Sequence, residues 1–288
     1  MPTERNKKQM DRKLDDIDFV IFDVETTGLE PLCGDRIIEI AAIRYKNGNA
    51  GSGLKPLPAF SSLINPQRKI SPAAFEVNRI SQEMVDAAPL AGEVLPKFME
   101  FAGNGCLAGY NVSFDMGFLE NELGILKRKV PDDTAVVDII QMSRRLIPNL
   151  DKYGLAAISK HLGLGAPQEH RALSDVELTV GVFSHLLSRF KLKGLDSFLQ
   201  FYNLFGVNPK ITQEINNQHI AAIQRAIDLG LRLKIKYYSS SGARVTEREV
   251  SPKEIRQQGK STYMVGYCHL RKDERTFKIN AILKLEII

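Results

Sequence analysis

The sequence predicts an α/β layer built on a mixed sheet, followed by a small β-barrel or roll. Three observations carry that expectation. Strand-like runs come first and then alternate with helix-like runs, the order of an α/β layer. Five short strands later crowd into fewer than 60 residues, as in a small barrel. Between the two regions, Asn208-Pro209 is the best boundary signal.

Met1 to Asp18 carries charges of alternating sign, lacks the apolar core of a signal peptide, and reads as a frayed or helical lead-in. Phe19 to Phe22 is apolar and β-branched, so a buried strand is expected there. Thr26-Thr27-Gly28 turns the chain, with Gly28 allowing a close approach or a positive φ. Arg36 to Tyr45 and Ala59 to Ile64 follow on short connections and suggest an antiparallel meander. Ser71 to Phe101 is helical in period but broken at Pro72, Pro89 and Pro96, giving two or three short helices. Cys106 to Tyr110 is a fourth strand, and Ser113 is a good N-cap for a helix to about Leu126. Thr134 to Val137 makes a fifth strand. Helices are then expected over Asp138 to about Leu146, Tyr153 to Leu162 and Ala172 to Phe190.

Residues 191–210 are too apolar for an unpacked linker, and Ile211 to Leu229 reads as one more helix. The short strands beyond are Arg232 to Tyr238, Arg244 to Ser251, Thr262 to His269, Arg275 to Ile279 and Leu283 to Ile287. Ser239 to Gly242 is the hairpin turn between the first two.

Composition is that of a globular protein, 43% hydrophobic and 25% charged. No apolar run approaches the roughly 18 residues of a membrane span, so no membrane partner is expected. Three scattered cysteines, Cys33, Cys106 and Cys268, suit a reducing cytoplasm. Residues 1–210 hold 25 Lys and Arg against 26 Asp and Glu, while residues 211–288 hold 14 against 8. The positive excess therefore belongs to the C-terminal region, which fits either a polyanionic partner or a solvated surface.

Asp23 and Glu25 end the first strand at period 2, so both side chains leave one face. Such a pair either ends in solvent or holds a divalent cation. Asp115 and Asp175 each fall in the first turn of a helix, and His170 precedes Asp175 by five residues. Singly, these acids could simply answer helix dipoles, and the histidine could be a surface loop residue. Together they form four carboxylates and one imidazole at strand ends and helix starts. Two Mg²⁺ or Mn²⁺ ions about 3.5–4 Å apart would relieve the repulsion and suit attack of water on a phosphodiester. An imidazole is matched to taking a proton from that water near neutral pH.

The segments D-V-E-T-T-G, N-V-S-F-D-M-G-F-L and H-R-A-L-S-D resemble the three motifs of the DEDDh 3′→5′ exonucleases, a family that includes the proofreading subunit of bacterial DNA polymerase III. The likeness covers residues 18–190, and the spacing of His170 and Asp175 is that of the histidine branch. It implies a ribonuclease H-like fold and release of nucleoside monophosphates from 3′ ends of single-stranded DNA or RNA, with DNA favoured. By motif position, Asp23 would bridge two metals, Glu25 and Asp175 would complete one site, and Asp115 would hold the other. His170 would be the general base. Thr26, Thr27, Leu29 and Asn111 would hold the terminal nucleotides. Tyr110 departs from a frequent histidine, and Asn78-Arg79-Ile80 from a His-Gly-Ile turn.

Residues 211–288 resemble the WYL domain, with its Sm-like small β-barrel and nucleic-acid or nucleotide ligands. Only the tyrosine of the signature stands in Thr262-Tyr263-Met264; Arg275 and Phe277 fit a later R-x-F element, and Ala281 replaces a usual arginine. The resemblance makes Arg271 and Arg275 ligand residues, while Tyr263 fits ligand contact and core packing equally. The expected protein is a metal-dependent exonuclease with a substrate-holding or regulatory barrel. The alternative is a nucleic-acid-binding regulator that grips strand ends without turnover.

Overall fold

The computed structural model describes residues 9–46, 58–165, 168–239, 243–259 and 261–288. Two five-stranded sheets organise these residues. The first has the order β3-β2-β1-β4-β5, with β1 (Asp18–Thr26) at its centre. β2 (Ile37–Lys46) and β3 (Ala59–Leu63) extend it antiparallel; β4 (Cys106–Gly109) and β5 (Val136–Asp138) extend it parallel. The sheet is therefore mixed, with the expected meander on one side.

Alternation along β1 separates two cores. Phe19 and Ile21 pack on one face with the Ala172–Lys191 and Phe198–Phe205 helices, where Phe183, Phe190 and Phe201 are fully buried. Val20, Phe22 and Val24 pack on the other with the Ala91–Ala102 and Ser113–Ile125 helices, through Phe98 and Phe118. Period 2 makes this split inevitable once both faces are covered. Asp23 and Glu25 continue the first of these faces past the end of the apolar run.

Several local expectations shift. Of the expected lead-in, residues 1–8 lie outside the described residues, while Leu14–Asp16 forms a short 3-10 helix anchored by the fully buried Leu14 and Ile17. Pro96 lies inside the Ala91–Ala102 helix, held by the buried Val94, Leu95 and Phe98 on either side of it. Ser113 is the first helical residue rather than the cap; Val112 occupies the cap position, and no side chain bonds there. Asp138 caps the next helix instead, its Oδ1 accepting from Ile140 N–H at 3.0 Å. Residues 191–210 contain a buried helix, and the chain leaving it bonds to β5 through Val207 N–H and Val136 O at 2.9 Å. That contact covers part of an edge strand.

The Pro209–Asp228 helix leads to the second sheet, order β10-β6-β7-β8-β9, antiparallel throughout. Its strands are β6 (Leu233–Ser239), β7 (Arg244–Gln258), β8 (Ser261–Cys268), β9 (Asp273–Lys278) and β10 (Ile282–Ile287). β7 runs seven residues past its expected end at Ser251, because β8 pairs along its second half beyond an irregularity at Pro252 to Glu254. Residues 240–242 of the expected hairpin turn lie outside the described residues. Leu233, Ile235, Val250, Met264 and Phe277 form the core of this smaller unit. Among the described residues no helix is long and apolar enough to cross a membrane.

Candidate active site

β1 carries Asp23 and Glu25 to the edge of the Ala172–Lys191 helix, whose first turn carries Asp175. One carboxylate oxygen from each of the three lies within 4.8 Å of the others. The pairing of β1 with β2 shifts register between Glu25 and Thr26, where a local irregularity can re-aim a side chain. Asp115 reaches the same strand from the opposite layer, its Oδ1 accepting from Val24 N–H at 3.1 Å. It is buried along with Asp175.

The electrostatics are those of an unneutralised acidic cluster. Burial first, then Asp175 and Glu39, push Asp23 up to about 8. Burial, then Asp23, Asp175 and Glu39, push Glu25 up to about 9, against an opposing hydrogen bond from Asn78. Burial and then Asp23 hold Asp115 well above the usual carboxylate range, against the Val24 N–H. No Lys or Arg among the described residues pairs with any of the four acids. Their donor set, all oxygen and crowded on one strand end, fits hard divalent cations.

Residues not singled out from the sequence build the frame. Glu39, in β2 and opposite Glu25 in register, accepts from Arg171 Nε at 3.1 Å and Nη2 at 2.7 Å, and from Ala172 N–H at 3.0 Å. It thereby anchors the start of the helix that carries Asp175. Both oxygens of Asp175 accept from the loop before that helix, from Gln168 Nε2 at 2.8 Å and Glu169 N–H at 3.3 Å. Asn78 is buried beside Glu25, and its Oδ1 accepts from Ile80 N–H at 3.0 Å. Arg79 has φ +57°, the left-handed conformation that the glycine of a His-Gly-Ile turn adopts freely. A lone acid inside the apolar run Ile37-Ile38-Glu39-Ile40 was the available signal for Glu39.

The remaining predicted site residues divide. His170 is exposed, with φ +54°, and no hydrogen bond or ion pair holds it among the described residues. Leu29 projects into solvent at 73% exposure. Thr26 and Thr27 are buried, and their hydroxyls are spent on the turn: Thr26 Oγ1 donates to Gly28 O at 2.5 Å and Thr27 Oγ1 to Asp35 Oδ1 at 3.0 Å. A Cβ on Gly28 would meet the Asp35 carboxylate, which accepts from Thr27 Oγ1 and Glu30 N–H, so a larger residue would have to displace that side chain. Asn111 is exposed at φ +67°, with its N–H bonded to Asp138 Oδ1 at 3.2 Å. Tyr110 donates to Tyr153 O at 2.6 Å. In the C-terminal unit, Tyr263 is half-buried opposite Lys278. Arg271 lies in the turn at the other end of that hairpin, and Arg275 pairs with Asp273 at 3.4 Å. The structure does not gather these three side chains at one point.

The family model described as Exonuclease matches residues 20–183, and the WYL domain model matches residues 218–287. A DNA polymerase III PolC-type protein of Clostridium perfringens is 33% identical over 201 residues, covering 70% of this chain and 13% of that protein. A DNA polymerase III subunit epsilon-like protein of Rhodobacter capsulatus is 36% identical over 187 residues, covering 64% of this chain and 26% of that protein. The chain thus spans between about an eighth and a quarter of these relatives' lengths. Exonuclease I in one solved structure superposes with a TM-score of 0.57 at 16% identity, over 93% of this chain and 64% of its own. The nuclease domain of 3'hExo, a DEDDh family member, gives a TM-score of 0.51 at 19% identity, over 59% of this chain and 92% of its own. The fold is therefore ribonuclease H-like in its larger part. The chain belongs to the exonuclease family and carries a WYL domain behind the nuclease fold.

Proposed function

We propose that the protein is a divalent-metal-dependent 3′→5′ exonuclease acting on nucleic-acid 3′ ends, with single-stranded DNA favoured. The observation that carries this reading is the meeting of Asp23, Glu25 and Asp175 within 4.8 Å, with Asp115 bonded to the same strand and no Lys or Arg among the described residues ion-paired to them. Asp23, Glu25, Asp115 and Asp175 would hold two Mg²⁺ or Mn²⁺ ions. Such ions supply Lewis-acid activation of water and neutralise charge on the phosphodiester. His170, unengaged on its loop, would take the proton from the attacking water. Exposed Leu29 offers an apolar surface to the last base, while Asn111 at the start of the Ser113–Ile125 helix would contact the backbone of the strand.

The polymerase III relatives support DNA as substrate and a role in replication, proofreading or repair. Three unpaired cysteines support a reducing cytoplasm. The C-terminal domain, net positive and carrying Tyr263, Arg271 and Arg275, would bind nucleic acid or a nucleotide. The test is digestion of 5′-labelled single-stranded DNA and RNA side by side with Mg²⁺, Mn²⁺ or EDTA. A ladder shortening from the 3′ end with metal, and none in EDTA, is expected. Strand binding without any shortening in all three conditions would instead support a regulator that only grips ends.

A further inference from the structure

The acids of the candidate site and those of its frame are held by different kinds of donor. Glu39 and Glu122, which fasten the frame, take guanidinium groups from Arg171 and Arg36. Asp115 and Asp175 take neutral donors instead. Asp115 is bonded through Oδ1 to Val24 N–H at 3.1 Å. Asp175 is held at both oxygens: Oδ2 accepts from Gln168 Nε2 at 2.8 Å and Oδ1 from Glu169 N–H at 3.3 Å. A carboxylate bonded at one oxygen can still swing about its Cβ–Cγ bond. One bonded at both cannot swing without breaking a hydrogen bond, and the shorter of the two here comes from Gln168. The segment that brings Gln168 is fixed at its far end. Asp175 N–H donates to Arg171 O at 2.9 Å, and the Arg171 guanidinium is paired with Glu39 at 2.7 Å. Gln168 itself is half-buried and stands two residues before the H-R-A-L-S-D segment.

A lysine or arginine in the place of Gln168 would orient the carboxylate as well, but would bring positive charge to the point a divalent cation has to occupy. A neutral amide orients without that repulsion. Hydrogen-bond partners of metal-ligating carboxylates typically account for about tenfold to a hundredfold in metal affinity. We propose that Gln168 is a positioning residue of the metal site: its amide turns the Asp175 carboxylate toward the point shared with Asp23 and Glu25, so that one divalent cation meets all three. The oxygens of those three acids already lie within 4.8 Å of one another, so a small rotation of Asp175 decides whether the set is complete. This rests on the reading of these acids as metal ligands. It adds a residue outside the three acidic motifs to those that set metal affinity, and that residue acts through Asp175 rather than on the substrate.

The test is titration of the full chain with Mn²⁺ in the absence of nucleic acid, free Mn²⁺ being read by electron paramagnetic resonance, with a melting curve on each variant. Gln168→Met keeps the side-chain length without the donor and should weaken Mn²⁺ binding about tenfold to a hundredfold in a chain that stays folded. Gln168→Asn keeps the amide on a shorter stem and should fall between Gln168→Met and wild type. Gln168→Lys keeps a donor but adds charge, and should bind Mn²⁺ more weakly than either. Glu169→Ala leaves its backbone N–H in place and should bind Mn²⁺ nearly as wild type does, which separates loss of the amide from disorder of the loop. Should Gln168→Met fail to fold, the order of the asparagine and lysine substitutions decides. Wild-type affinity in folded Gln168→Met would overturn the proposal. So would a lysine substitution that binds as tightly as the asparagine one, or a loss in Glu169→Ala equal to that in Gln168→Met. Mn²⁺ bound by wild type and by every Gln168 variant alike would sink the proposal alone; no Mn²⁺ bound by wild type would sink the metal reading of the acids as well.

Discussion

Replacing Asp23 by Asn removes one charge from a carboxyl that burial and its neighbours already hold near neutrality. Asp23→Asn and Asp175→Asn are therefore expected to abolish turnover without unfolding the chain, and metal-free Asp23→Asn should melt no lower than wild type. Near-wild-type hydrolysis by either variant at saturating Mg²⁺ would remove these residues from the metal site. The same shifts set a pH dependence. Asp23 and Glu25 keep their protons to about 8 and 9 when folded but ionise near 4 once unfolded, so the folded state binds more protons in between. Their penalty is absent at low pH, grows as pH rises past the unfolded values, and is complete above about 9. Melting temperature in EDTA should fall from pH 5.5 to 8.5, less steeply in Asp23→Asn, and Mg²⁺ should flatten the slope. An EDTA series with no difference between wild type and Asp23→Asn would contradict this. His170→Ala should lower the rate by roughly 10²–10⁴ with little change in metal affinity, the usual effect of losing a positioned base. A rate and pH profile unchanged from wild type would exclude the histidine.

At the scale of elements, the junction of β2 with the Ala172–Lys191 helix positions the chemistry. Glu39 is buried and takes three hydrogen bonds from Arg171 and Ala172, so the helix start, and with it Asp175 and the His170 loop, is tied to the sheet. Glu39→Gln weakens those charge-assisted bonds, while Arg171, 40% exposed, can turn to water. A loss of about 1–3 kcal/mol is expected by denaturant titration, together with slower hydrolysis. Wild-type stability and rate in this variant would reduce the pair to a surface contact. A second such pair, Arg36 with Glu122 at 2.6 Å, joins β2 to the Ser113–Ile125 helix that brings Asp115. Both helices that carry acids of the candidate site are thus fastened through a buried glutamate paired with an arginine.

Across the whole molecule, the barrel is docked rather than tethered. Tyr238, Ala243 and Leu283 belong to the same apolar cluster as Phe201 and Phe205 of the nuclease domain, and Asn203 Nδ2 donates to Ile282 O at 2.6 Å. Truncation after Pro209 would uncover that surface, so the shortened chain should melt at a lower temperature, read by calorimetry. Where it stays folded, it should still cleave short oligonucleotides but bind longer strands more weakly. Each phosphate that residues 211–288 no longer neutralise should reduce the single-strand salt slope by about 0.7, measured by fluorescence anisotropy across a salt series. Equal affinity and slope with and without the barrel would assign it to another ligand or to a protein partner.

The sequence alone determined the order of elements, the mixed sheet and the three acidic motifs, because period 2 in Phe19 to Glu25 and first-turn acids at Asp115 and Asp175 are local patterns. It also showed the change to short strands after Asn208-Pro209. Only the tertiary structure decided which cations are spent. Arg171 and Arg36 lie close in sequence to site residues, yet their guanidinium groups belong to Glu39 and Glu122 from distant segments. Likewise, the helix that continues through Pro96 answers to packing of Val94, Leu95 and Phe98 that overrules local preference. Periodicity and motif spacing report only on near neighbours, so charge balance between distant segments is settled by the fold.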